Sequence, residues 1–445
     1  MTGNDMCATR VKSAMKTRAL ITYGRSLMAL TIAESVRPLV DYVIGLDTIG
    51  LTALSFSKYC DETRTVCEPS DEAAYTRDIA EICKEFAEDT ILILPGFEDM
   101  EALARHKSLL PDNARLAAPD CSSIEKVTPK HHFAVLIDDN HINAPKTEVF
   151  ETEQDAQEGP DTAFPILVKP SRGAGGRGIS KVASQDEYEA YLKQHQNDYP
   201  LLAQSLADGD DYCVSALVHE GEVLVMSAYT NLENQPVEAG AGVVRETVST
   251  APFEADVRKI AKATNWTGVF EADFMWTGED SDAPSAIEVN ARFWAGLRHS
   301  TLSGVDYARL LAELTLHGAL QSEPGTPDIG FRSQVPLAWI PSAIDGAFSA
   351  SDYANQLSDS WKRLKYSKGF SLKNFGRLVA SLSDAKAAKE ALEDVTHRVM
   401  DRSHLDVDLL AKDDPAAALG ALFIVSHLAK YGELPPEISF DSVGS

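Results

Sequence analysis

Cysteine is sparse, six in 445 residues, and no two of them form a C-x-x-C pair. Histidines do not gather near them, so a structural zinc site has no support, and a chain this long does not need a disulfide framework. The compartment expected from this usage is a reducing cytoplasm. Positive charge is also in short supply: 41 Lys and Arg stand against 67 Asp and Glu, a formal net charge of −26. So acidic a chain repels nucleic-acid backbones and anionic bilayers, and neither is an expected partner. Long apolar runs are missing too. The first 14 residues lack a signal-peptide core, and the longest apolar run, residues 416–425, is about half of what a helical membrane span requires. Repeats and low-complexity tracts are absent.

What is present is an ordinary globular composition, 44% apolar and 24% charged. The length exceeds what one core serves, so two or three domains are expected. Residues 16–119 open with the strand Ala19-Leu-Ile-Thr22, then the turn Tyr23-Gly-Arg-Ser26 and a helical pattern over 27–36. Two more strands follow, 41–47 and 91–94, the latter running into Pro95-Gly-Phe-Glu98. Strands alternating with helices predict a parallel α/β sheet. Gly24 and Asp47 hint at a dinucleotide site, but the fingerprint requires three glycines and this turn has one. The turn therefore reads as a strand-to-helix connection, and the loop tips beyond these strands are candidates for a ligand crevice.

The most informative stretch is 164–181, Phe-Pro-Ile-Leu-Val-Lys-Pro-Ser-Arg-Gly-Ala-Gly-Gly-Arg-Gly-Ile-Ser-Lys. Ile166-Leu-Val168 reads as a buried strand that delivers Lys169 and stops at Pro170. Ser171, Arg172, Gly173, Gly175, Gly176 and Gly178 follow. Glycine tolerates backbone angles that let several N–H groups face one anion, so a strand lysine beside this loop suits a polyphosphate. It is neither a P-loop, since no Gly-Lys-Ser/Thr follows, nor a dinucleotide turn, since the lysine precedes the glycines. A flexible hairpin loop is the competing reading. A second glycine-rich patch, 239–245, ends on Arg245 and is weak by itself.

A second region spans 269–292. In Val269-Phe-Glu-Ala-Asp-Phe-Met-Trp276, alternation puts Glu271 and Asp273 on one face of a strand. In Ala286-Ile-Glu-Val-Asn-Ala-Arg292 it does the same for Glu288, Asn290 and Arg292. Antiparallel pairing through the polar turn 277–284 brings Asp273, Glu288 and Asn290 onto one surface. Three hard oxygen ligands without His or Cys suit Mg²⁺ or Mn²⁺, with a solvated hairpin face as the bland alternative.

Lysine and glycine loop for phosphates, then a carboxylate–carboxylate–amide set for the bridging metal, fit phosphoryl-transfer chemistry. Over roughly residues 120–320 the chain resembles the ATP-grasp superfamily, most nearly its carbamoyl-phosphate-synthase-like and biotin-carboxylase-like carboxylate–amine ligases. The resemblance implies an α/β and α+β multidomain fold: an N-terminal domain over 16–119, an ATP-grasp domain over 120–325 with a small lid subdomain at about 147–203, and a mainly helical region over 330–445. It implies ATP and Mg²⁺ (or Mn²⁺) as cofactors. Lys130, in Pro129-Lys-His-His-Phe133, and Lys169 would meet the phosphates, and Ser171–Gly178 would form the mobile lid. Gln204, Ser205, Leu206 and Ala207 would form the adenine hinge, and Asp211 would bind the ribose. Asp273, Glu288 and Asn290 would hold the metal, and Arg292 with Arg245 would meet the substrate carboxylate or the transferring phosphoryl group. Small-molecule carboxylate and amine substrates are the implied partners, with a homodimer admissible as the assembly. Gln204 stands where many relatives have Glu, and Asp211 and Asp273 where Glu is common. Two alternatives stay open: a bicarbonate-using carboxylase or carbamoyl-phosphate-type enzyme, and a non-catalytic ATP-binding module.

Overall fold

The computed structural model describes residues 15–97, 99–172, 178–195, 198–235, 241–279, 282–334, 406–407 and 414. The first sheet is built from β1 (Thr17–Ile21), β2 (Tyr42–Asp47), β3 (Glu62–Thr65), β4 (Thr90–Leu94) and β5 (Ala114–Leu116), all parallel, in the order β3-β2-β1-β4-β5. Helices α1 (Leu27–Val36), α2 (Glu72–Glu85) and α3 (Asp99–Arg105) make the crossovers. Ser26 starts α1 by accepting the N–H of Ala29 at 3.1 Å, a helix N-cap. Ile21, Leu46, Ile91 and Ile93 are fully buried, as a parallel sheet covered on both faces requires.

Two short helices, α4 (Cys121–Ile124) and α5 (Lys130–Asp139), lead into a four-stranded antiparallel sheet. It comprises β6 (Thr147–Phe150), β7 (Ile166–Pro170), β8 (Ser180–Val182) and β9 (Leu201–Ser205), ordered β6-β9-β7-β8. Helices α6 (Glu153–Gln157) and α7 (Gln185–Gln194) cover one face. Ile166 and Val168 enter a core with Phe150, Tyr188, Leu201 and Ala203. Their neighbours Leu167 and Lys169 consequently face the other way.

The larger sheet contains β10 (Asp210–His219), β11 (Glu222–Gln235), β12 (Ala241–Val248), β13 (Gly268–Trp276), β14 (Ser285–Asn290), β15 (Arg332–Gln334) and β16 (Asp406–Val407), ordered β14-β13-β10-β11-β12-β15-β16. Only the β15–β16 pair is parallel. Helix α8 (Glu254–Thr264) lies against it, and Val257 and Ile260 pack on Phe270, Ala272 and Phe274. That apolar face commits Glu271 and Asp273 to the opposite one.

Helices α9 (Leu297–Leu302) and α10 (Tyr307–His317) close the unit, and α10 packs on α1. Ala29, Ile32 and Val36 of α1 share one core with Phe293, Trp294, Tyr307 and Leu311, which fixes the N-terminal sheet to the larger one. The helices expected over 330–445 lie almost wholly outside the described residues. From that region Asp414 is described: its carboxylate accepts from Ser57 Oγ at 2.5 Å and from Lys58 N–H at 3.2 Å.

Candidate active site

Strand register builds the site. Asp273 pairs with Glu288 on β14 and with Cys213 on β10. One step along the face, Glu271 pairs with Asn290 and Ser215. Asn290 Nδ2 donates to Asp273 Oδ2 at 2.9 Å, leaving Asn290 Oδ1 available to a cation. Asp273 Oδ1 is buried and accepts no hydrogen bond among the described residues. Burial, with Glu271, Glu288 and Asp211 close by, pushes the Asp273 carboxyl well above the usual carboxylate range. Concentrated, poorly compensated negative charge in oxygen ligands is what a hard divalent cation relieves. Glu288, Asp273 and Asn290 therefore fit Mg²⁺ or Mn²⁺.

Two lysines meet this face from other elements. Lys130 starts α5, its backbone N–H donating to the Ser171 carbonyl at 2.9 Å, and its Nζ lies 3.4 Å from Glu288 Oε2. Lys169 is 3% exposed and donates from Nζ to Gln204 Oε1 at 2.9 Å. The contact follows from register: Lys169 pairs with Leu202 and Leu167 with Gln204, so Lys169 and Gln204 are diagonal neighbours on one face. Gln204 Nε2 in turn donates to Thr147 Oγ1 at 2.8 Å, which fixes the amide orientation. Burial lowers the Lys169 ammonium to about 8; Glu288 opposes that and Lys130 adds to it.

The loop base is tied down on several sides. Ser171 N–H donates to the Pro200 carbonyl at 2.9 Å, and Ser171 Oγ contacts His131 Nδ1. Arg172 is exposed and sits 3.3 Å from Glu101 of α3. Gly173, Gly175 and Gly176 lie outside the described residues. Ser205, the last residue of β9, and Ala207 are half-buried, and Leu206 between them is exposed. Asp211 accepts from Asn231 Nδ2 at 2.9 Å, and burial raises its carboxyl.

Arg292 differs from the strand reading. β14 ends at Asn290, so Arg292 does not continue its alternation. Its guanidinium instead lies 4.4 Å from the Phe97 ring centroid, reaching the N-terminal domain, and Nη1 donates to the Phe293 carbonyl at 3.1 Å. Arg245 is buried on β12 beneath the face, its guanidinium carbon 5.8 Å from the Tyr229 ring centroid.

Glu271 has no role in the expected metal set, yet the structure places it at the centre of this floor. Its Oε2 accepts from Tyr229 Oη at 2.8 Å and from Ser215 Oγ at 3.3 Å. Ligating atoms of Cys213, Glu271 and Asp273 lie within 4.8 Å of one another. Burial raises the Glu271 carboxyl to about 7, with Tyr229 and Arg292 pulling it back. The signal that finds it is the alternation that places it on the Asp273 face. Asp47 is settled differently: its carboxylate takes Arg25 Nε at 3.0 Å and the N–H groups of Arg25 and Ile49 at 2.8 and 3.3 Å. It anchors a turn.

The ATP-grasp domain family matches residues 127–296, the span holding both lysines, the strand face and Arg292. The carbamoyl phosphate synthase large chain of Thermoanaerobacter sp. (strain X514) is 24% identical over 311 residues, covering 66% of this chain and 28% of the relative. The corresponding C-terminal section from Methanopyrus kandleri is 23% identical over 217 residues, 46% of this chain and 40% of the relative. The chain thus spans less than half the length of either relative. Among solved structures, the ADP complex of N5-carboxyaminoimidazole synthetase from Staphylococcus aureus superposes with a TM-score of 0.56 at 12% identity, covering 70% of this chain and 80% of that one. The L-amino acid ligase of Bacillus licheniformis gives 0.52 at 18% identity, over 68% and 74% of the two chains. Residues 127–296 thus match the ATP-grasp domain family, and the chain shares its fold with these solved structures.

Proposed function

We propose that this protein is an ADP-forming ligase that activates a small-molecule carboxylate as an acyl phosphate and passes the acyl group to an amine. The observation that carries this reading is the convergence of Lys130 and Lys169 on the face of Asp273, Glu288 and Asn290. A module that only held nucleotide would have little use for all three metal-fitting ligands.

Lys130 and Lys169 bind phosphate oxygens and neutralise charge there. Gln204 holds Lys169 in place, and residues 204–207 flank the adenine with Asp211 toward the ribose. Asp273, Glu288 and Asn290 would hold the divalent cation, which would supply charge neutralisation for the transferring phosphoryl group. Arg292 orients the substrate carboxylate for attack on the γ-phosphorus, and Arg245 adds positive potential from below. The carboxylate oxygen forms the new P–O bond as ADP leaves. The amine then displaces phosphate, its proton passing to solvent or to a released phosphate oxygen.

ADP release measured across carboxylates crossed with amines tests the proposal. Release that needs a carboxylate and rises with an amine supports it. Release driven by bicarbonate alone favours a carboxylase, and ATP binding without ADP release under any pairing favours a regulatory module.

A further inference from the structure

The N-terminal sheet has a topological switch point: the chain leaves β1 toward β2 and β3 on one side, and returns through β4 to β5 on the other. Open parallel sheets bind ligands in the crevice beyond the strand C-termini at this position. Here the residues that stand at it are Tyr23, just after β1, and Phe97, just after β4. Their rings stack with centroids 4.9 Å apart and planes 14° from parallel, both are half-buried, and the Arg25 guanidinium carbon lies 5.4 Å from the Tyr23 centroid.

This stack is built deliberately by the backbone. Tyr23 has φ 53, a left-handed conformation that costs a bulky residue on the order of 1 kcal/mol or more. It is held there by Ser26 N–H on the Tyr23 carbonyl at 3.0 Å and by the anchored Arg25. Gly96 permits the approach from the other side, since a Cβ there would sit 2.4 Å from the Thr22 carbonyl oxygen.

Arg292 lies with its guanidinium over Phe97 at 4.4 Å, only two residues beyond Asn290. Arg292 therefore links the Phe97 ring to the end of the strand that carries Glu288 and Asn290. A guanidinium can stack on a ring by its face while pairing a carboxylate along its edge. Nη1 is occupied by the Phe293 carbonyl, whereas Nε and Nη2 carry no hydrogen bond among the described residues. A carboxylate on that edge lies in the guanidinium plane, and the rest of its molecule extends past the rim of the two rings.

We infer that Tyr23, Phe97 and Arg292 form a substrate subsite that selects a carboxylic acid with an aromatic or other planar apolar substituent. This rests on the ligase reading for its catalytic consequence but not for binding. No acidic side chain forms an ion pair with Arg292 among the described residues, and the edges of the two stacked rings offer apolar surface beside it.

Two readouts separate the two ideas. By titration calorimetry with Mg²⁺ and a non-hydrolysable ATP analogue present, 3-phenylpropionate should bind at least ten-fold more tightly than acetate or succinate. Phe97→Ala and Tyr23→Ala should each remove that preference while ATP-analogue affinity stays within two-fold, and Phe97→Trp should retain it. In the ADP-release assay, the Ala variants should raise KM for aromatic carboxylates far more than they lower kcat. Equal binding of all three acids, or a preference that survives in the Tyr23→Ala/Phe97→Ala double variant, overturns the subsite. Selective aromatic binding without any ADP release leaves the subsite standing and overturns the ligase reading.

Discussion

Lys169 donates to Gln204 at 2.9 Å, so the buried lysine of the phosphate site is held by a neutral amide and not by a carboxylate. Its folded-state value of about 8 lies below the ordinary 10.5. Below pH 8 the folded protein carries the full cost of a buried charge. As pH rises from 8 to 10.5 the unfolded chain binds the extra proton, so this lysine's penalty fades and its contribution to stability grows. Phosphate binding has the opposite sign, because it needs the ammonium. ATP affinity should fall as pH rises through 8, with proton uptake on binding visible as a buffer-dependent calorimetric enthalpy. Gln204→Glu should move that break upward to about pH 9 or above. An unshifted break in the variant would show that the amide contact does not set the lysine's protonation.

Glu288 faces both the cation position and Lys130 at 3.4 Å. Glu288→Gln keeps shape and removes charge. ADP formation should drop at least 100-fold, on the scale of lost electrostatic stabilisation in phosphoryl transfer, with thermal unfolding shifted by less than about 3 °C. Normal turnover in this variant would exclude Glu288 from the metal set.

Gly296 touches the rear of the site. A Cβ at this position would lie 2.6 Å from Cζ and Oη of Tyr229, the residue that donates to Glu271. Gly296→Ala must push a buried ring aside, so it should cost about 1–3 kcal/mol by denaturant titration and lower kcat by displacing Glu271. A neutral effect on both would mean the ring relocates without disturbing the acid.

Asp47 and Arg25 form a buried ion pair that also fixes the turn carrying Tyr23. Removing one partner strands the other charge. Asp47→Ala should therefore destabilise the N-terminal domain by about 3–5 kcal/mol, read as a lower urea midpoint at unchanged m-value.

The strand face of Asp273, Glu288 and Asn290 was legible because alternation has period two and a polar turn enforces antiparallel return. Lys169 was legible for a similar reason: three apolar residues before it and a proline after it define where a buried strand ends. Pairings between distant segments were not. Nothing local to Phe97 says that its ring receives Arg292, since that contact depends on α1 packing against α10. Glu271 shared the visible face, but its burial depends on Tyr229 and Ser215 arriving from two other strands. Asp47 with Gly24 hinted at a dinucleotide site, and the missing glycines favoured a strand-to-helix turn; the ion pair with Arg25 shows the acid anchoring that turn.

Oxygen-isotope transfer tests the central claim most directly. With ATP, Mg²⁺, an amine and a turned-over carboxylate labelled with ¹⁸O, acyl-phosphate chemistry carries one carboxylate oxygen into the released phosphate. The account predicts phosphate bearing one ¹⁸O per amide formed. Unlabelled phosphate, with label appearing only when the water is ¹⁸O, would mean that ATP is hydrolysed without activating the carboxylate, and would contradict it.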